Sequence, residues 1–118
     1  MKRFRRQKNL WPMPMKLSEI KRSLTNILKN ILQFSQDDSS KVELLNKISY
    51  GLFTSDYEEA IAFGIKSKEL AVTINYPVGE AYALKNIGLG YYMKGDFVEG
   101  FDYWNQSLAV FESINDLL

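Results

Sequence analysis

The chain has no cysteine and no histidine among its 118 residues. Without cysteine there is no disulfide, no thiolate nucleophile and no thiolate metal site. Without histidine the commonest general base and the commonest transition-metal ligand are missing. A Ser-His-Asp triad and a histidine-based zinc hydrolase site are therefore impossible in this chain alone. Lysine, tyrosine and carboxylates remain, but no spacing brings them together as an acid–base set, so an enzyme is not expected. Long apolar runs are absent as well, and none approaches the ~20 residues of a membrane-spanning helix. The basic start is not followed by the apolar stretch of about 7–15 residues that a secretory signal needs. The expectation is a soluble, cytoplasmic protein with no membrane span, no metal and no cofactor.

What is present suffices for a core. Hydrophobic residues make up 46% and aromatic residues 14% of the chain, which argues against wholesale disorder. The net charge of +1 is unevenly placed. Residues 1–16 carry Lys2, Arg3, Arg5, Arg6, Lys8 and Lys16 and no acid, so the remainder is mildly acidic. That opening stretch has no periodicity, and Pro12 and Pro14 break any helix there. It reads as a disordered basic tail. A basic arm for nucleic acid or anionic lipid, anchored by Phe4 and Trp11, is the competing reading. One basic run without a folded recognition element does not carry it, so nucleic acid is not the expected partner.

From Leu17 the pattern is helical. Leu17, Ile20, Leu24, Ile27, Leu28 and Ile31 recur at spacings of three and four, with Ser18 as a candidate cap. This predicts an N-terminal helix over 17–35 that packs on the rest. Gln36-Asp37-Asp38-Ser39 is a polar break. Two adjacent acids there lack the alternating oxygen ligands and glycine of a calcium loop. Ser40-Lys41-Val42-Glu43 has capping-box spacing and predicts the next helix start. Asp56 and Asp96, each with Glu three residues on, read as caps of two later helices. Pro77 suits a first turn. No sustained alternation of apolar and polar residues appears, so no strand is expected. The fold class is all-α, about five helices without a sheet.

The chain also repeats itself. Leu45–Phe53 aligns with Leu84–Tyr92 at a shift of 39, and Asp56–Ile61 with Asp96–Phe101 at a shift of 40. Repetition at this period means stacked units rather than one closed globule. The last helix carries Phe97, Gly100, Phe101, Trp104, Leu108 and Phe111 on one stripe.

These residues resemble a tetratricopeptide repeat. In the second unit, 77–118, the motif positions read Leu84, Ile87, Gly88 and Tyr91, then Gly95 in the turn, then Gly100, Trp104 and Ser107. The first unit, 40–76, is degenerate: Leu45, Ile48, Ser49 and Leu52, then Ala60, Gly64 and Ser67. Gly64 stands where the family has an aromatic residue. The stretch from Asp38 to Leu118 also resembles the sensory regions of bacterial signalling proteins, where such repeats precede a nucleotide cyclase or histidine kinase. The resemblance implies an antiparallel helix-hairpin array and a protein–protein interaction function without catalysis. Its alternative form is the N-terminal sensory part of a larger signal-transduction protein. It further implies a concave groove lined by the first helix of each hairpin. Glu43, Asn46, Tyr50, Phe53 and Thr54 would line it from one unit, and Tyr82, Lys85, Leu89, Tyr92 and Met93 from the other. Aromatic anchors with a few polar handles suit a protein or peptide partner. Each unit of such an array buries a flank against the next, so self-association or further repeats are expected at the C-terminal flank.

Overall fold

The computed structural model describes residues 16–117. The expected disordered tail thus lies outside the described residues, apart from Lys16. Five helices follow: α1 Leu17–Leu32, α2 Ser39–Leu52, α3 Tyr57–Thr73, α4 Pro77–Lys94 and α5 Phe97–Leu117. The described residues contain no strand. The chain is all-α.

The helix starts follow the chemistry of unsatisfied N–H groups. The Asp56 carboxylate accepts from the Glu59 N–H at 3.1 Å, as its spacing implies. At α2 the cap is Asp38, not Ser40. Its carboxylate accepts from the Lys41 N–H at 3.2 Å, and a negative cap also suits the positive end of the helix dipole. At α1 the cap position falls on Lys16, so Ser18 is already inside the helix. Glu19 reaches back there and accepts from the Lys16 N–H at 3.3 Å. Pro77 takes the first turn of α4. Gly95 closes that helix at φ 97° and donates its N–H to the Tyr92 carbonyl at 3.0 Å. No atom lies near where its Cβ would be, so left-handed backbone alone selects glycine there.

Each helix packs on the next, and α2 also lies against α4. The result is two hairpins, α2/α3 and α4/α5, with their first helices side by side. Val42, Ile48, Ala60, Ala71, Ala81, Ala83 and Ile87 are fully buried. The repeat is visible in its hydrogen bonds. The Ser107 hydroxyl donates to the Ala81 carbonyl at 2.7 Å, and the Ser67 hydroxyl shares its one hydrogen between the Val42 carbonyl at 3.2 Å and the Asn46 Oδ1 at 2.7 Å. These are corresponding positions of the two units. Ser49, also buried, donates to the Ala60 carbonyl at 2.6 Å. Leu84, Gly88 and Gly100 are buried at the approach of α4 to α5, while Tyr91 and Trp104 are half-buried. Tyr91 stacks on Tyr103 with ring centroids 5.5 Å apart.

Burial raises the Tyr103 phenol above its ordinary 10.0, with Tyr91, Glu99 and Asp102 adding to the shift. A folded acid with a raised pKa holds its proton more tightly than the unfolded chain. Its contribution is intact below the unfolded value and is lost as pH rises through the folded one. Thermal melts from about pH 9 upward should therefore show a declining Tm that is shallower in Tyr103→Phe.

Two apolar stripes sit differently from their expectation. On α5, Phe97, Phe101 and Leu108 stay exposed. On α1, docking uses Leu28 and Leu32 against Ile48, Leu52 and Ala60, with Thr25 buried. Lys29 adds an ion pair to Glu59. Of the expected stripe only Leu28 docks, while Leu17, Ile20, Leu24, Ile27 and Ile31 stay exposed.

Candidate interaction groove

A depression of about 410 Å³ lies between α2 and α4. Glu43, Asn46, Lys47, Tyr50 and Gly51 line it from α2. Val78, Gly79, Tyr82, Lys85 and Asn86 line it from α4, and Tyr76 from the turn before α4. Five residues named for the groove from sequence, Glu43, Asn46, Tyr50, Tyr82 and Lys85, thus converge. They converge because α2 and α4 lie side by side and successive turns of each present residues at intervals of three and four.

The Lys85 ammonium sits between two aromatic faces, 5.1 Å from the Tyr50 ring centre and 5.4 Å from that of Tyr82. Both distances fall within the ~6 Å over which a ring quadrupole attracts a cation. Tyr50 and Tyr82 are each about half exposed, at 53% and 46%, so part of each ring is open to solvent beside Lys85. Tyr50 leans on Phe53 and Tyr82 on Phe111, with ring centres 5.3 and 5.2 Å apart. Both anchors are therefore braced from behind.

Asn46 is a structural wall rather than a free handle. Its amide donates to the Gly79 carbonyl at 3.1 Å, and its side-chain oxygen accepts from the Ser67 hydroxyl at 2.7 Å. Asn86 is the residue that sequence reading missed. It is 3% exposed and donates its amide to the Asn46 carbonyl at 3.1 Å. That bond fixes the carboxamide orientation, since turning it would oppose two oxygens. The Asn86 Oδ1 is left without a hydrogen-bond partner among the described residues. Its counterpart in the first unit is Lys47, so the repeat gave no signal of a buried carboxamide. At the rim, the Tyr76 hydroxyl donates to Glu43 at 3.4 Å. Burial, then the Glu43 charge and this bond, push the Tyr76 phenol upward.

The other groove candidates lie elsewhere. Phe53 packs on Ile48, Leu52 and Ala60. Tyr92 joins an aromatic cluster with Phe97, Phe101 and Trp104, at centroid distances of 5.0, 6.5 and 5.5 Å. Leu89 is half-buried and Met93 exposed, and neither lines the depression.

Two further depressions are charged. One of about 560 Å³ runs between α1 and the turn after α2, with Lys21, Arg22, Lys29, Asp56 and Glu59 along it. The other, of about 440 Å³, is lined by Lys29, Lys41, Lys66 and Asp37 among others. Neither pairs a nucleophile with a base. Among the described residues no three carboxylates gather as a metal site, and no helix is long and apolar enough to cross a membrane. Comparison with protein-family models, with curated proteins and with solved structures finds no match to this chain.

Proposed function

We propose that the chain is a non-catalytic interaction module of the tetratricopeptide type, holding an extended peptide or a segment of a neighbouring domain across the α2/α4 groove. The observation that carries this reading is the pair of half-exposed tyrosines, Tyr50 and Tyr82, bracketing Lys85 in that groove. Aromatic rings lose little entropy on binding and offer large contact area. The absence of histidine and cysteine supports a binding role over chemistry.

The test is selection of displayed peptides on the whole chain, followed by calorimetry. Tyr50→Ala and Tyr82→Ala should each weaken a selected peptide by about tenfold or more, with circular dichroism unchanged. Peptides that bind equally well to both variants would exclude the groove.

A further inference from the structure

Among the described residues, an apolar stripe of α1, continued by Phe34 in the turn beyond it, stays exposed. Leu17, Ile20, Leu24, Ile27, Ile31 and Phe34 are 67%, 42%, 55%, 54%, 50% and 82% exposed. Their spacing alternates three and four without a break, which is the seam of a two-helix coiled coil. The seam is independent of the core contacts of α1, which run through Thr25, Leu28 and Leu32. We propose that this face pairs with the same face of a second copy of the chain, with the two α1 helices antiparallel. This goes beyond the groove reading and does not rest on it.

The residues themselves select the partner and its direction. An antiparallel pair matches Leu17 with Phe34, Ile20 with Ile31 and Leu24 with Ile27 of the second copy. Every layer is then apolar and the seam complements itself. Charge points the same way. Around the start of α1 stand Lys16, Glu19, Lys21 and Arg22, a net positive group, and beyond its end Asp37 and Asp38 outnumber the last-turn Lys29. Antiparallel pairing brings the basic end of one copy beside the acidic end of the other. Parallel pairing would instead set Lys16 against Lys21 of its partner, a like-charge contact at the seam edge. The six side chains expose on the order of 600 Å² of apolar surface per copy, near the ~800 Å² per partner of a standard interface once flanking residues are added.

Sedimentation velocity of the full chain over a concentration series tests this, alongside Ile20→Glu/Ile27→Glu. Both positions are exposed in the single copy, so the fold should stand, and the helical signal in circular dichroism checks that. The expected result is a concentration-dependent dimer whose dissociation constant rises at least about tenfold in the double variant. A chain lacking residues 1–15 should dimerise as the whole chain does. Orientation is read by cysteines introduced into a chain that has none. Leu24→Cys mixed with Ile27→Cys should form a disulfide. Leu17→Cys should not link to itself, because antiparallel helices hold those positions about 25 Å apart at 1.5 Å per residue. A monomer at all concentrations overturns the proposal, as does a dimer indifferent to the double variant or a ready Leu17 self-crosslink. So does a dimer that appears only when residues 1–15 are removed, which would make that segment the occupant of the seam.

Discussion

Gly88→Ala should destabilise the protein by about 2–3 kcal/mol, through overpacking and a strained hydrogen bond. Helix propensity alone gives the opposite sign, since alanine is favoured over glycine by about 1 kcal/mol inside a helix. Packing overrides it. A Cβ on Gly88 would lie 2.5 Å from Trp104 Cδ1 and 2.9 Å from the Gly100 carbonyl oxygen. The backbone oxygen cannot yield without separating α4 from α5. The indole is pinned as well, because its Nε1 donates to the Lys85 carbonyl at 3.2 Å. Thermal denaturation should show Tm falling by roughly 10 °C or more. Smaller side chains at position 104 should relieve part of the loss, so the cost of Gly88→Ala should shrink in a Trp104→Leu background. Strictly additive costs would show that the contact is not the cause.

Ile48→Ala should cost about 3–4 kcal/mol and should also loosen α1. Ile48 is fully buried, and Leu28 and Leu32 of α1, Leu44 and Phe53 beside it, and Phe63 of α3 pack on its cluster. Three helices meet on this cluster, so the cavity left by truncation has walls on several elements that cannot all close in. Urea denaturation reads the total cost. Amide hydrogen exchange should report faster exchange across Leu17–Leu32 than the global loss alone produces. Ile27→Ala provides the contrast. The same reduction in side-chain size on the exposed face of α1 should leave monomer stability within about 0.5 kcal/mol. If Ile48→Ala fell in that range too, the cluster would not be the core that its burial indicates.

The sequence was most legible where local chemistry decides alone. Helix periodicity, the Asp56 cap, the Pro77 start and the Gly95 stop are readable because each is satisfied within a few residues. The repeat shift was legible too, since Ser67 and Ser107 make the same hydrogen bond in both units. Gly64, odd as a departure from the repeat, is explained only in three dimensions. Its Cβ would lie 2.7 Å from Ile87 Cγ1, so the second hairpin occupies the space an aromatic ring would need. The direction of the α1 stripe was not legible. Periodicity shows that a helix is two-faced but not which neighbour meets which face, and here the narrower edge of Leu28 and Leu32 won. Half of the groove was legible, because side-by-side first helices place Tyr50 beside Lys85. Asn86 was not, because nothing local marks a carboxamide whose oxygen is to be left unpaired.

The hydrogen bonds that join α2 to α4 among the described residues all end on Asn46: its amide reaches Gly79, and its carbonyl receives Asn86. Lys85 over Tyr50 adds a cation–π contact across that seam, and the remainder is largely apolar contact, which resists separation but offers little resistance to sliding. Asn46 therefore acts as the rivet of the stack. A torque that turned one hairpin over the other would have to shear these two bonds before anything else yielded. Its side-chain oxygen is held by Ser67 of α3, so the load would pass straight to the far helix of its own hairpin. The angle between the two hairpins is thus held chiefly at Asn46, beside the depression between α2 and α4.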